Sequence, residues 1–300
     1  MVNNGRSKSP PGRRTCAFLL YSSKKTLKTL FLYLITGIIF TSNKLYAQNI
    51  DTLVEVGGYK LHFNIIRGTG TPILFEAGGG DDATTWKNII HPIEDSTHAT
   101  LITYDRTGFG KSTFDTTKHG ILNGMIGLET GLRKLGFKGN IILVAHSQGG
   151  LYATLYASRH PNEVKAAVLI DATTSCFYEA NRLAATQSQI NEQSKKNKSL
   201  RPGSYYQGAD FSDNINYVRN IDFPKNIPVI DFVSDFPPFP DKKDTADWKS
   251  CHRAFVSMSP NRTGITAYRC GHFIFEDNPP LVINAIVKIW RSKTTPLSGY

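Results

Sequence analysis

The sequence predicts an α/β fold: a mostly parallel sheet with helices on both faces and a small helical insertion. Three observations predict it. Near-continuous apolar segments of strand length recur at "TPILFEAG", "HATLITYD", "NIILVAHS", "VKAAVLIDAT" and "IPVIDFVSD", as expected for strands covered on both faces. Segments of helical spacing lie between several of them, supplying the crossovers that parallel strands need. Residues 172–225 then break the alternation with a long polar stretch, the form a cap over a site takes.

In chain order, "TLVEVGGYKLHFNIIRG" alternates around Gly57-Gly58 and predicts an antiparallel hairpin. "TPILFEAGGG" is a strand entering a glycine run, and "HATLITYDRTGFGKS" is a strand ending in a polar turn. Residues 121–135 place Ile121, Leu122, Met125, Leu128, Leu132 and Leu135 along one helical face. "NIILVAHS" is a buried strand, and "GGLYATLYASRHP" is a helix closed by Pro161. Within the insertion, "NRLAATQSQINEQSKKNKS" reads as a helix, its Lys-rich end solvated, and "LRPGSYYQGADFSD" reads as a loop. Tyr205, Tyr206 and Phe211 either line a pocket there or pack the insertion onto the sheet. "ADWKSCHRAFVSM" predicts a helix and "GITAYRCGH" the last strand. "PPLVINAIVKIWRS" predicts a closing helix with Pro279 and Pro280 in its first turn.

Composition narrows the function classes. An apolar content of 40% with 17 Phe and 13 Tyr supplies a sizeable core and argues against a disordered chain. The net charge of +11 suggests a nucleic-acid partner until it is located. Residues 1–47 hold eight Lys and Arg and no Asp or Glu, which leaves +3 (11 − 8) for the rest. That is a weak field for a phosphate backbone, so no nucleic-acid partner is expected. The basic leader, the apolar run "TLFLYLITGIIF" and "TSNKLYAQNI" predict a secretory signal peptide over 1–47, cleaved after Ala47. The run is short for a bilayer span, and an uncleaved anchor is the alternative. The expectation is one domain, 48–300, exported to a periplasmic or extracellular space with no stable membrane span after processing. Cys176, Cys251 and Cys270 would remain, an odd number that allows one bridge and one free thiol.

The chemistry gathers in "ILVAHSQGGLYATLY". A serine hydroxyl becomes a nucleophile when a base takes its proton and donors stabilise the resulting oxyanion. A turn from strand to helix would hold Ser147 at the carboxyl end of a parallel strand, where open α/β sheets bind ligands. Small residues at 145 and 149 suit so sharp a turn, a variant of the G-x-S-x-G elbow. "GTGTPILFEAGGGDD" lacks the Gly-Lys-Ser/Thr ending of a phosphate-binding loop. No motif calls for a metal or an organic cofactor.

From about residue 50 onward the chain resembles the α/β-hydrolase superfamily. Four segments carry the resemblance: the elbow, "FEAGGGDDATTW", "YDRTGFGKS" and "GHFIFEDNPPLVINAI". The resemblance implies an eight-stranded sheet with a small helical lid over about 172–225. It makes Ser147 the nucleophile, His272 the base, and the Gly79 and Gln148 amides the oxyanion hole. The acid is Asp171, ending "VLIDAT", with Asp235 in "IPVIDFVSD" as the alternative. The implied reaction is hydrolysis of an ester or related acyl bond of a small molecule. Amide or peptide-bond cleavage, carbon–carbon bond hydrolysis, or a ligand-binding protein on the same fold remain alternatives. A serine at 147 argues against the branches that use an aspartate nucleophile there.

Overall fold

A computed structural model describes residues 49–194 and 201–294. The expected signal peptide, the Lys-rich end of the insertion helix after Ser194 and the last six residues lie outside these. Eight strands appear among the described residues: β1 (Asn49–Glu55), β2 (Lys60–Ile66), β3 (Ile73–Glu76), β4 (Leu101–Asp105), β5 (Ile141–His146), β6 (Val164–Ile170), β7 (Val229–Phe236) and β8 (Arg262–Gly271). They form one sheet in the order β1-β2-β4-β3-β5-β6-β7-β8. The pairs β1–β2 and β2–β4 are antiparallel, and every later pair is parallel. The first hairpin follows the glycine signal. Glu55 pairs with Lys60, and Gly57 and Gly58 take φ of 107° and 102°, a region open to glycine at little cost.

Helices cover both faces. On one side lie α1 (Lys87–Thr97), the short α8 (Ile274–Asp277) and the closing helix α9 (Pro279–Thr294). On the other lie α2 (Ile121–Lys134), α3 (Gly149–Arg159) and α7 (Lys242–Ser257). The strands divide between two cores by simple alternation. In β5, Leu143 and Ala145 join the α2–α3 side, while Ile142 and Val144 face α1 and α9. The period-two rule thus explains why both faces of one strand are apolar.

The insertion departs from its sequence reading. After α4 (Ala180–Ser194), the stretch expected to be loop holds two short helices, α5 (Pro202–Ala209) and α6 (Phe211–Val218). Proline at the first turn of α5 starts a helix rather than preventing one. Burial of Phe211, Ile215 and Val218 then overrides the weak local propensity in α6. In α2 the expected apolar face holds except at Leu122, which is 37% exposed. No described helix is long and apolar enough to cross a membrane.

Cys176 and Cys251 form a disulfide across 75 residues of sequence, and Cys270 is buried and free. The bridge fastens the segment leaving β6 to α7. Closing a loop of that length removes about 4 kcal/mol of unfolded-chain freedom in the chain-entropy account. Reduction, or Cys176→Ser, should therefore lower the unfolding free energy by a few kcal/mol in urea titrations. An unchanged midpoint would show that the bridge constrains nothing.

Candidate active site

Strands β5 to β8 run parallel, so their carboxyl ends share one rim of the sheet, where ligands bind in open α/β folds. Ser147 directly follows β5, Asp171 directly follows β6, and His272 directly follows β8. The fold brings these three together from 125 and 101 residues apart. Ser147 Oγ lies 2.8 Å from His272 Nε2, and His272 Nδ1 lies 2.7 Å from Asp171 Oδ2. An ionised carboxylate only accepts, so Nδ1 carries the proton and Nε2 is left to accept from the hydroxyl.

Ser147 has a φ of 50°, the left-handed region that costs a non-glycine residue energy and concentrates at functional sites. Backbone bonds hold it there. Its N–H donates to Ile170 O at 3.2 Å, and its carbonyl accepts from Gly150 N at 2.9 Å and Thr173 N at 2.8 Å. Gly149 must lack a side chain for a reason beyond the turn itself. A Cβ there would come within 2.6 Å of both the Glu76 and Ala77 carbonyl oxygens at the end of β3.

Asp171 is fully buried, and four donors surround its carboxylate. Oδ1 accepts from Ser234 N–H at 2.9 Å and the Trp248 indole at 2.9 Å. Oδ2 accepts from the Ser234 hydroxyl at 2.8 Å and from His272. Burial pushes its pKa up, but hydrogen bonding and charge at His272, with the Ser234 and Trp248 donors, outweigh it and hold the group below the usual carboxylate range. Asp235, the alternative acid, does not reach His272. The β7–β8 register shifts between Ser234 and Phe236, and Asp235 accepts from the Arg269 amide and from Lys249 instead. Asp231, inside β7, pairs with His252 Nδ1 at 2.8 Å deep in the interior.

Gly79 and Gln148 stand side by side: a Cβ on Gly79 would lie 3.5 Å from Gln148 Cβ. Among the described residues neither backbone amide donates to a protein acceptor. The next amide, Gly80 N–H, donates to Gln207 Oε1 of α5 at 2.7 Å. Tyr206 packs on Phe114 and His119, and Phe211 packs on Tyr178. Among the described residues no group of three or more His, Cys, Asp or Glu could hold a metal ion.

His146 is the residue that sequence reasoning missed. It adjoins the serine, and its ring reaches His272 just beyond the end of β8. Nε2–H donates to the His272 carbonyl at 3.1 Å, and the two rings lie 4.6 Å apart. The available signal was an imidazole ending a wholly apolar strand, which needs a buried partner.

The described chain belongs to the family defined by the alpha/beta hydrolase fold, whose model matches residues 71–227. Among individual proteins, it is 26% identical over 247 residues to the uncharacterized protein YqjL of Bacillus subtilis, covering 80% of this chain and 92% of that one. It is 34% identical over 105 residues to the (lyso)-N-acylphosphatidylethanolamine lipase of Bos taurus, covering 34% of this chain and 30% of the lipase. A thermophilic esterase from Thermogutta terrifontis shares the fold with a TM-score of 0.61 at 18% identity, covering 83% of this chain and all of that one.

Burial, with a smaller effect of His272, pushes the His146 pKa down to about 3, so the native ring is neutral. Unfolded, it titrates near about 6.5. Between those values only the unfolded chain binds the proton, so this contribution to stability is full above 6.5 and declines as pH falls towards 3. His146→Gln should make the unfolding free energy less steep in pH by about 1.4 kcal/mol per unit between roughly pH 4 and 6. Urea titrations across that range check it, and equal slopes would mean the ring titrates normally in the native state.

Proposed function

We propose that this protein is a serine hydrolase that cleaves an ester or related acyl bond of a small molecule through an acyl-enzyme. The observation that carries the reading is the unbroken hydrogen-bonded line from Ser147 Oγ through His272 to the buried Asp171 carboxylate. Ser147 Oγ attacks the acyl carbon while His272 Nε2 takes the hydroxyl proton. The carbonyl oxygen becomes an oxyanion, and the Gly79 and Gln148 amides donate to it. Collapse expels the leaving group, which takes the proton from His272. Water then attacks the acyl-serine, gives a proton to His272, and releases the acid as Ser147 is reprotonated. Asp171 keeps the imidazole in the required tautomer and stabilises the imidazolium.

The reading includes export. A disulfide between Cys176 and Cys251 supports an oxidising compartment, where such bonds persist.

Two measurements test the reading. A fluorophosphonate probe should label the wild type and fail on Ser147→Ala and His272→Ala. A folded wild type that resists labelling would refute the nucleophile assignment. On p-nitrophenyl esters of graded chain length, Asp171→Asn should lower kcat by roughly 10³–10⁴ through the wrong imidazole tautomer. Asp235→Asn should leave kcat near the wild-type value; the reverse ranking would move the acid to Asp235.

A further inference from the structure

Arg106, in the turn "YDRTGFGKS", takes no part in the line from Ser147 to Asp171, yet it is only 5% exposed. Its Nη1 donates to Glu76 Oε1 at 2.7 Å and to the Ala77 carbonyl at 2.8 Å. Nη2 donates to the Gly78 carbonyl. The Tyr104 hydroxyl donates to the other Glu76 oxygen at 2.5 Å, and the Tyr152 ring centroid lies 5.0 Å from the guanidinium carbon. Glu76 ends β3 and Arg106 directly follows β4, its parallel neighbour, so the two meet at the same rim.

Stability alone gives no reason for this pair. Taking two ions out of water costs about what their attraction returns, and apolar replacements of similar volume are often neutral or better. The acceptors supply the reason. The Gly78 carbonyl and the Gly79 N–H belong to one peptide unit, and a trans peptide holds them on opposite sides of its plane. Fixing the carbonyl therefore fixes the direction of the N–H. A cationic donor on the carbonyl also draws charge through the amide and strengthens the N–H as a donor. Glycine at 78, 79 and 80 leaves this loop little rigidity of its own. A guanidinium presents several donors in one rigid plane and can hold Glu76, Ala77 and Gly78 together, which an ammonium cannot do in the same geometry.

We propose that Arg106 is a positioning residue for the oxyanion hole: by clamping the Ala77 and Gly78 carbonyls it aims and polarises the Gly79 N–H. The inference rests on the acyl-transfer reading above and adds a residue that never touches substrate.

The test compares Arg106→Lys with the double variant Glu76→Gln/Arg106→Met, which avoids an unpaired buried carboxylate if the single change fails to fold. Near-UV circular dichroism and the urea midpoint establish folding. The readouts are kcat and KM on p-nitrophenyl acetate and inhibition by an aryl trifluoromethyl ketone, whose serine adduct bears an oxyanion. Both variants should lose about 10- to 100-fold in kcat, less than the roughly 10²–10³ that deleting a whole donor costs. KM should change by less than about threefold, and ketone affinity should fall by the same factor as kcat/KM. A folded double variant that keeps kcat within about threefold, or loses it without losing ketone affinity, overturns the inference. Failure of the wild type to turn over ester or be labelled at Ser147 would instead overturn the hydrolase reading, before any variant is compared.

Discussion

The site depends on one backbone conformation, the left-handed turn at Ser147. That geometry costs an L-residue about 1–2 kcal/mol, and it persists because neighbouring chain ends over-determine it. Ile170 at the end of β6 takes the Ser147 N–H, and Thr173, just beyond, donates to its carbonyl. The close approach of the β3 carbonyls leaves Gly149 no space for a side chain. Three strand ends therefore define the turn. Once it is formed, the hydroxyl leaves the helix start, and the Gln148 amide lies beside it without a helical partner. The strain and the placement of the hydroxyl have the same origin.

A second constraint explains how Asp171 can stay buried beside His272. A carboxylate has room for about four hydrogen bonds, and Asp171 fills all of them. That set lets an ion survive complete burial. Besides His272, its donors come from β7 and α7, and α7 is held by the Cys176–Cys251 bridge and by Arg182, which reaches Asp244 and Asp247. Trp248 then stacks edge-on toward His252, whose own carboxylate partner is Asp231. Burial raises the Asp231 pKa against the attraction of His252, and the facing carboxylate raises that of His252 against burial. The layer beneath Asp171 is polar, and the Cys176–Cys251 bridge ties α7 covalently to the segment that leads into the cap.

Much of this was legible along the chain. The strands carry continuous apolar runs because both faces are covered, and the Ser147 and His272 segments have recognisable turns around them. Of Asp171 and Asp235, both near strand ends on the same rim, the resemblance favours Asp171, but nothing along the chain shows which carboxylate would bond His272. What separates them is a register shift beside Asp235 and donors 63 and 77 residues from Asp171. His146 was hidden by adjacency: its partner is a carbonyl 126 residues away. The α5–α6 segment is rich in Gly, Tyr and polar residues and becomes helical through the burial of Phe211, Ile215 and Val218. The cysteine spacing likewise held no sign of which two would meet.

These contacts also give the cap a role that its position alone would not assign. The loop from Ala77 to Gly80 is gripped from two directions. Arg106 holds its carbonyls at the end of the sheet, and Gln207 of α5 accepts from the Gly80 amide. The cap is in turn fixed to the segment between β4 and α2, through Gly203 against Gly108 and His119 on Asp210. The same segment carries Arg106. The segment between β4 and α2 therefore contacts both the cap and, through Arg106, the glycine loop. Attached in this way, the cap is part of the support of the Gly79–Gly80 backbone, through its own hydrogen bond to Gly80 and through the segment that carries Arg106.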